Sequence, residues 1–191
     1  MSNLQTNVAA ALLRGTGSEV LVQWNRDRKG VLTGWCQLRD PAAILPAARA
    51  LADLEARLSM VTAYLTEPAK RRGARELAYH FDLDGSTLTI HLELPLVGAH
   101  IPSITPVFRN ADWNEREFME LYDIEVTGHP DPRRLFLDAS LEPAAFERLI
   151  PYSTFSSGAS SKALWDKVMA GSPGETAPGA VTRSQPEEVT P

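Results

Sequence analysis

A single cysteine, Cys36, stands in a chain of 191 residues. One thiol can form neither an internal disulfide nor the set of thiolates that holds an iron-sulfur cluster, so any electron carrier belongs to another chain. Long apolar runs are also missing. Nothing approaches the ~20 consecutive apolar residues of a membrane-spanning helix, and the amino terminus lacks the basic stretch and apolar core of a secretory signal. Positive charge is outweighed, with 19 Lys and Arg against 24 Asp and Glu, a net charge of −5 and an isoelectric point near 5.4. Phosphate backbones are bound by clustered positive charge, so this balance argues against a nucleic-acid partner. No glycine-rich phosphate loop and no internal repeat is visible. These absences lead to the expectation of a cytoplasmic protein that reaches a membrane only through others.

What is present fits one globular domain with appendages: 43% of the residues are hydrophobic, an ordinary fraction. Residues 1–17 carry Leu4, Val8 and Leu12 at helical spacing and stop at Gly15-Thr16-Gly17, which predicts a brief helix. Glu19 to Trp24 and Val31 to Leu38 read as strands around a charged turn. Asp40 is placed to cap a helix with Pro41 at its first position, and the Ala- and Leu-rich run to Leu54 continues it, with Pro46 marking a late start or a kink. Leu58 to Leu65 reads as another strand.

The sharpest structural inference concerns a hairpin. Leu77, Tyr79, Phe81 and Leu83 alternate with polar or small residues, as do Leu88, Ile90 and Leu92, and Asp84-Gly85 separates the two runs. A two-residue loop there pairs 81 with 88, 79 with 90 and 77 with 92, so turn chemistry and hydrophobic period agree on one register. The predicted fold is α+β: a mainly antiparallel sheet with helices packed on one face, plus a C-terminal extension. The predicted division is 1–17 as an N-terminal segment, 18–140 as the α+β domain, 141–170 as an extended partner-binding segment and 171–191 as a disordered tail. The tail is rich in Gly, Pro, Ser, Thr and Glu and cannot bury enough apolar surface to offset its ordering entropy.

Candidate chemistry is sparse. His80 and His91 project from the same face of the hairpin, but zinc wants three or four convergent ligands and only Glu93 stands nearby. The pair therefore reads as partner contact or solvent exposure, with no metal expected. Glu115 and Glu117 sit two apart on a predicted helix and point in nearly opposite directions, so they cannot flank one bond. The hydroxyl-rich run Ser153-Thr154-Phe155-Ser156-Ser157 lacks the strand-turn-helix setting of a nucleophile. The basic run Lys70-Arg71-Arg72 reads as a solvated loop. No catalytic residue is expected in this chain.

Residues 111–135 hold charged, aromatic and Pro residues at a density that core packing does not require. Asp112 followed by Glu115 has the spacing of a capping box, predicting a helix from Trp113 to Tyr122. On its wheel Phe118, Leu121 and Tyr122 share one arc, and Trp113, Arg116, Glu117 and Glu120 the opposite one, where Arg116 and Glu120 can pair. After it, Pro130 and Pro132 fix their own φ and push His129 and Asp131 toward extended conformations, giving a stiff loop that presents Arg133 and Arg134.

Pro102-Ser103-Ile104-Thr105, Trp113, Glu115-Arg116-Glu117 and Gly128-His129-Pro130 followed by Arg133-Arg134 stand at fixed offsets over some 35 residues. This pattern resembles the 30 kDa subunit of respiratory complex I (NADH:quinone oxidoreductase) and the related subunit of energy-converting nickel-iron hydrogenases and formate hydrogenlyases. The resemblance implies a non-catalytic scaffold subunit in the soluble arm of a membrane-bound complex, peripheral on the cytoplasmic side. It also implies a hydrogenase-like large subunit and a small iron-sulfur subunit as partners. Iron-sulfur clusters, and in the hydrogenase branch a nickel-iron centre, then belong to the partners. Trp113, Glu115, Arg116, Glu117, His129, Pro130, Arg133 and Arg134 become the expected partner interface. Trp and Arg are also the residue types most enriched at binding hot spots.

The chain departs from the pattern twice. Asp123-Ile124 stands where the family usually has Gly-Ile, so the helix must end without the glycine that ordinarily allows a left-handed turn. The Leu-Arg-Lys-Asp element of respiratory members is absent after Leu137, which favours the hydrogenase branch over the 30 kDa subunit of an NADH:quinone oxidoreductase. A stand-alone binding module or metal-dependent enzyme sharing the fold is the rival of another class.

Overall fold

The computed structural model describes residues 3–137, all within one compact unit, Met1–Arg148. The expected segments 141–170 and 171–191 lie outside the described residues.

Helix α1 (Asn3–Thr16) is longer than its three apolar landmarks required. Val8 and Leu12 are fully buried, and Gly17, with φ of 69°, donates its N–H to the Leu13 carbonyl and ends the helix. Strands β1 (Val22–Arg26) and β2 (Leu32–Gln37) follow. The Asp40 side chain accepts from the Ala42 N–H, but it caps a 3-10 turn, Pro41–Ala43, and not the long helix expected from 41. Helix α2 (Ile44–Ala52) starts after that turn, with Pro46 inside its first turn where no intrahelical donor is lost. Proline geometry thus sets the late start. Gly15 of α1 lies so close to α2 that a Cβ there would be 2.7 Å from the Pro46 carbonyl oxygen.

Strand β3 (Arg57–Tyr64), the short helix α3 (Glu67–Arg71), β4 (Ala74–Leu83) and β5 (Ser86–Pro95) come next. The β4–β5 hairpin has the register expected from its sequence, pairing Phe81 with Leu88, Tyr79 with Ile90 and Leu77 with Leu92. Asp84 and Gly85 both have positive φ, 51° and 77°, the requirement of a type I′ turn. Leu77, Tyr79, Phe81, Leu88, Ile90 and Leu92 are all fully buried.

The strand order is β1-β2-β5-β4-β3, and the sheet is antiparallel except at one place: β2 runs parallel to β5, with Thr33 opposite Thr87 and Cys36 opposite Ile90. Leu38 extends this pairing by donating to the His91 carbonyl. A second, two-stranded parallel sheet joins β6 (His100–Pro102) to β7 (Glu125–Thr127). Between them lies helix α4 (Asp112–Leu121). Residues of α1, α2, the sheet and α4 share one buried cluster, in which Phe118 of α4 is 1% exposed. Cys36 sits in that cluster, where burial pushes its thiol up to about 12. Among the described residues no helix is long and apolar enough to cross a membrane.

Candidate partner-docking site

The start of α4 differs from the capping box that its sequence suggested. A 3-10 turn, Arg109–Ala111, precedes the helix, and Asn110 anchors that turn by donating to the Leu58 carbonyl at 2.6 Å. Ala111 is already helical, so Asp112 becomes the first helical residue and caps nothing with its side chain. Its carboxylate instead faces Arg116 at 3.9 Å and His129 Nε2 at 3.4 Å.

Glu115 does not reach back to a cap either. It is 1% exposed, and its carboxylate accepts from the Ser103 hydroxyl at 2.5 Å, the Ile104 N–H at 2.7 Å and the Thr105 hydroxyl at 2.7 Å. A buried carboxylate is tolerated only when donors replace its water, and the Pro102-Ser103-Ile104-Thr105 stretch supplies them. The Tyr79 phenol lies in the same buried region. Burial first, and the Glu115 charge second, push it well above the ordinary tyrosine range.

His129 closes the network from the other side, and its side chain is 1% exposed. Nδ1 accepts the Asp131 N–H at 3.0 Å, which leaves Nε2 to carry the proton toward Asp112, Thr105 and Glu115. Glu115 and His129, expected at a partner interface, have buried side chains that hold the 103–105 stretch and the Gly128-His129-Pro130 loop to the helix.

The end of α4 has no glycine, as read from the sequence, yet the left-handed turn forms all the same. Asp123 itself takes the left-handed conformation, with φ of 54°, and Ile124 donates to the Phe118 carbonyl at 3.2 Å. The αL region tolerates Asp better than most residues, which replaces the missing glycine at a conformational cost.

Arg116 and Glu120 do not form the pair expected of them. The Arg116 guanidinium donates to the carbonyls of Arg133 and Arg134, each at 2.8 Å. Glu120 is buried and accepts from the backbone N–H groups of Leu135, Phe136 and Leu137. Together the two side chains fix residues 133–137 as a strap along α4. Arg133 stays 82% exposed and forks onto Asp131 at 2.7 and 2.6 Å, and this pairing holds the Asp131 carboxyl well below the usual carboxylate range. The strap carries Phe136 to Trp113, where the rings meet edge to face at 6.3 Å while remaining 63% and 62% exposed. Two large exposed aromatics are thus held in contact by polar side chains of α4.

Of the expected interface residues, the structure thus gathers Trp113, Arg116, Arg133 and Arg134 around the strap and leaves Pro130 exposed on the adjoining loop. Glu117 is half-buried and takes no part in these bonds. Glu120 and Phe136 were missed. Glu120 carried only its i, i+4 spacing to Arg116 as a signal, and that spacing does not identify a partner backbone fifteen residues on. Among the described residues no three His, Cys, Asp or Glu side chains converge to hold a metal ion.

An α+β sheet domain whose buried carboxylates pin a helix, a hydroxyl-rich stretch and a Gly-His-Pro loop together defines a structural module with an exposed aromatic pair. The chain belongs to the family of the 30 kDa subunit of the respiratory-chain NADH dehydrogenase, which matches residues 38–153. It is similar to a subunit of the NAD(P)H-quinone oxidoreductase of Synechococcus sp. (strain RCC307), 44% identical over 55 residues, covering 27% of this chain and 31% of the relative. It is also similar to a subunit of the NADH-quinone oxidoreductase of Rhodopseudomonas palustris (strain TIE-1), 46% identical over 55 residues, covering 29% and 27%. The match thus spans less than a third of these relatives' length. The fold is that of a trypsin-resistant fragment of Nqo5, with a TM-score of 0.50, 23% identity and coverage of 67% of this chain and 98% of the fragment. It is shared with a chain of the membrane-bound sulfane sulfur reductase, an archaeal respiratory membrane complex, with a TM-score of 0.52, 17% identity and coverage of 72% and 79%.

Proposed function

We propose that this chain is a scaffold subunit of a membrane-bound, complex I-related oxidoreductase, docked by its α4–strap face onto a hydrogenase-like large subunit. The observation that carries the reading is the Trp113–Phe136 pair, exposed yet held in place by Arg116 and Glu120. Aromatic anchors ringed by charge-assisted contacts are the usual core of a protein–protein interface. Redox chemistry falls to the partners, which supply iron-sulfur clusters and, in the hydrogenase branch, a nickel-iron centre. This chain reaches the cytoplasmic side of the membrane through them.

The branch favoured is an energy-converting nickel-iron hydrogenase, because the Leu-Arg-Lys-Asp element is absent after Leu137. The second reading, the 30 kDa subunit of an NADH:quinone oxidoreductase, is favoured by the names of its curated relatives. Affinity purification of the chain from native membranes in mild detergent, with partners identified by mass spectrometry, tests both readings. A large subunit with paired Cys-x-x-Cys motifs supports the hydrogenase branch, and the same subunit lacking them supports the quinone branch. A free monomer in the soluble fraction overturns both. Trp113→Ala and Arg133→Glu are expected to leave the circular dichroism spectrum unchanged and to release the chain from the large subunit.

A further inference from the structure

The sheet has a second face, opposite the one that α4 helps to cover. Trp35 of β2, His91 of β5 and Tyr64 of β3 form a row of rings on it. Trp35 and His91 stack at 5.7 Å with 27° between their planes, and Tyr64 lies 6.3 Å from His91 at 41°. His91 pairs in register with Ala78 of β4, the strand that lies between β5 and the β3 strand of Tyr64. His91, expected to meet solvent or a partner, is in fact enclosed at 7% exposure, while Trp35 keeps 45%.

Two carboxylates flank this row. Glu76 and Glu93 stand directly opposite one another across β4 and β5, an arrangement in which like charges repel. Arg72 neutralises Glu93 at 2.7 Å, and His91 Nε2 approaches Glu76 Oε1 at 3.4 Å. Glu76 Oε2 has no hydrogen-bond partner among the described residues. The Tyr64 phenol registers the local field: burial first, then Glu76 and Glu93, raise its pKa. A half-exposed indole and a carboxylate with one unpartnered oxygen, standing on either side of His91, are the groups that a guanidinium fits, because it stacks on aromatic faces and binds carboxylates in a fork.

We propose that this sheet face is a second docking surface, occupied by a segment of a partner subunit that lays an arginine side chain against Trp35 and Tyr64 and pairs it with Glu76. The proposal rests on the reading of the chain as a subunit of a larger complex, and it adds a contact on the side of the sheet remote from the α4–strap face.

The test places a photo-crosslinking amino acid at Gln37, which is exposed two residues beyond Trp35 and in register with His91, and separately at Trp113, in the full chain within native membranes. The expected product at position 37 is a crosslink to a partner peptide that contains an arginine, distinct from the peptide captured at position 113. Glu76→Gln and the surface change Trp35→Ser, each checked for an unchanged melting curve, should each lower the yield at position 37 by about threefold to tenfold and leave the yield at position 113 alone. Capture at 113 with none at 37, capture at 37 of a second copy or of this chain's own residues, or a yield at 37 indifferent to both substitutions overturns the second surface while the first stands. No capture at either position overturns both.

Discussion

Arg116 and Glu120 stand one helical turn apart with opposite charges, yet they hold consecutive stretches of one backbone and leave each other unpaired. Arg116 takes the carbonyls of residues 133 and 134, and Glu120 takes the N–H groups of 135 to 137. An exposed i, i+4 ion pair contributes only about 0.2–0.5 kcal/mol, whereas a hydrogen bond to a charged group contributes about 1.5–3 kcal/mol. The strap therefore outcompetes the pair.

Glu120→Gln should loosen the strap, because an amide oxygen replaces a carboxylate that serves three N–H donors. The expected loss is about 1–3 kcal/mol, seen as faster amide exchange at Leu135, Phe136 and Leu137 with protection in β4 and β5 retained. Unchanged exchange at these three amides would contradict the clamp.

Glu115→Ala should cost more. It leaves the Ser103 and Thr105 hydroxyls and the Ile104 N–H without their acceptor in a buried site. A destabilisation of about 3–5 kcal/mol is expected, from breaking a buried charged network. The urea midpoint should fall with an unchanged slope. Glu115→Gln, which keeps one acceptor, should recover part of the loss.

At the end of α4, Asp123→Gly should raise stability by about 0.5–1 kcal/mol, because glycine takes positive φ without strain. The gain is limited by the extra entropy of glycine in the unfolded chain. Asp123→Val, β-branched at a left-handed position, should lower the melting temperature. A fall with glycine would show that the Asp123 side chain contributes more than its backbone conformation costs.

The Asp131–Arg133 pairing sets an acid response. The folded carboxyl titrates below its ordinary value of 3.8, chiefly because Arg133 hydrogen-bonds it, so the folded state binds the proton less readily than the unfolded one. The stabilisation is fully present above the ordinary value and is lost as pH falls below 3.8 through the folded value. A carbon-13 titration of the Asp131 carboxyl, followed downward from neutral pH, should show no inflection before that folded value is reached. An inflection at the ordinary carboxylate position would break the argument.

The hairpin was legible because two local signals, the period of two and the Asp84-Gly85 turn, agree on one register without reference to the rest of the chain. The left-handed end of α4 was legible only as a missing glycine, since the sequence did not show that Asp123 would take up the conformation in its place. The burial of Glu115 and Glu120 was not, because carboxylates ordinarily face water and their donors arrive from residues 103–105 and 135–137. The site accordingly appeared in the sequence as a set of surface residues, whereas three of its members, Glu115, Arg116 and His129, are internal fastenings. The parallel pairing of β2 with β5 also escaped, because no turn connects the two strands and their apolar alternation suits either direction.

That parallel pairing bears on the order in which the domain assembles. Thr33 must find Thr87 across the intervening α2, β3, α3 and β4, a closure whose entropy has to be met before the contact returns anything. The β4–β5 hairpin asks only for its own two-residue turn. Folding would thus begin in the C-terminal half of the sheet, which gives β2 a template on which to settle and makes the β1–β2 ribbon the last piece to dock and the first to peel away.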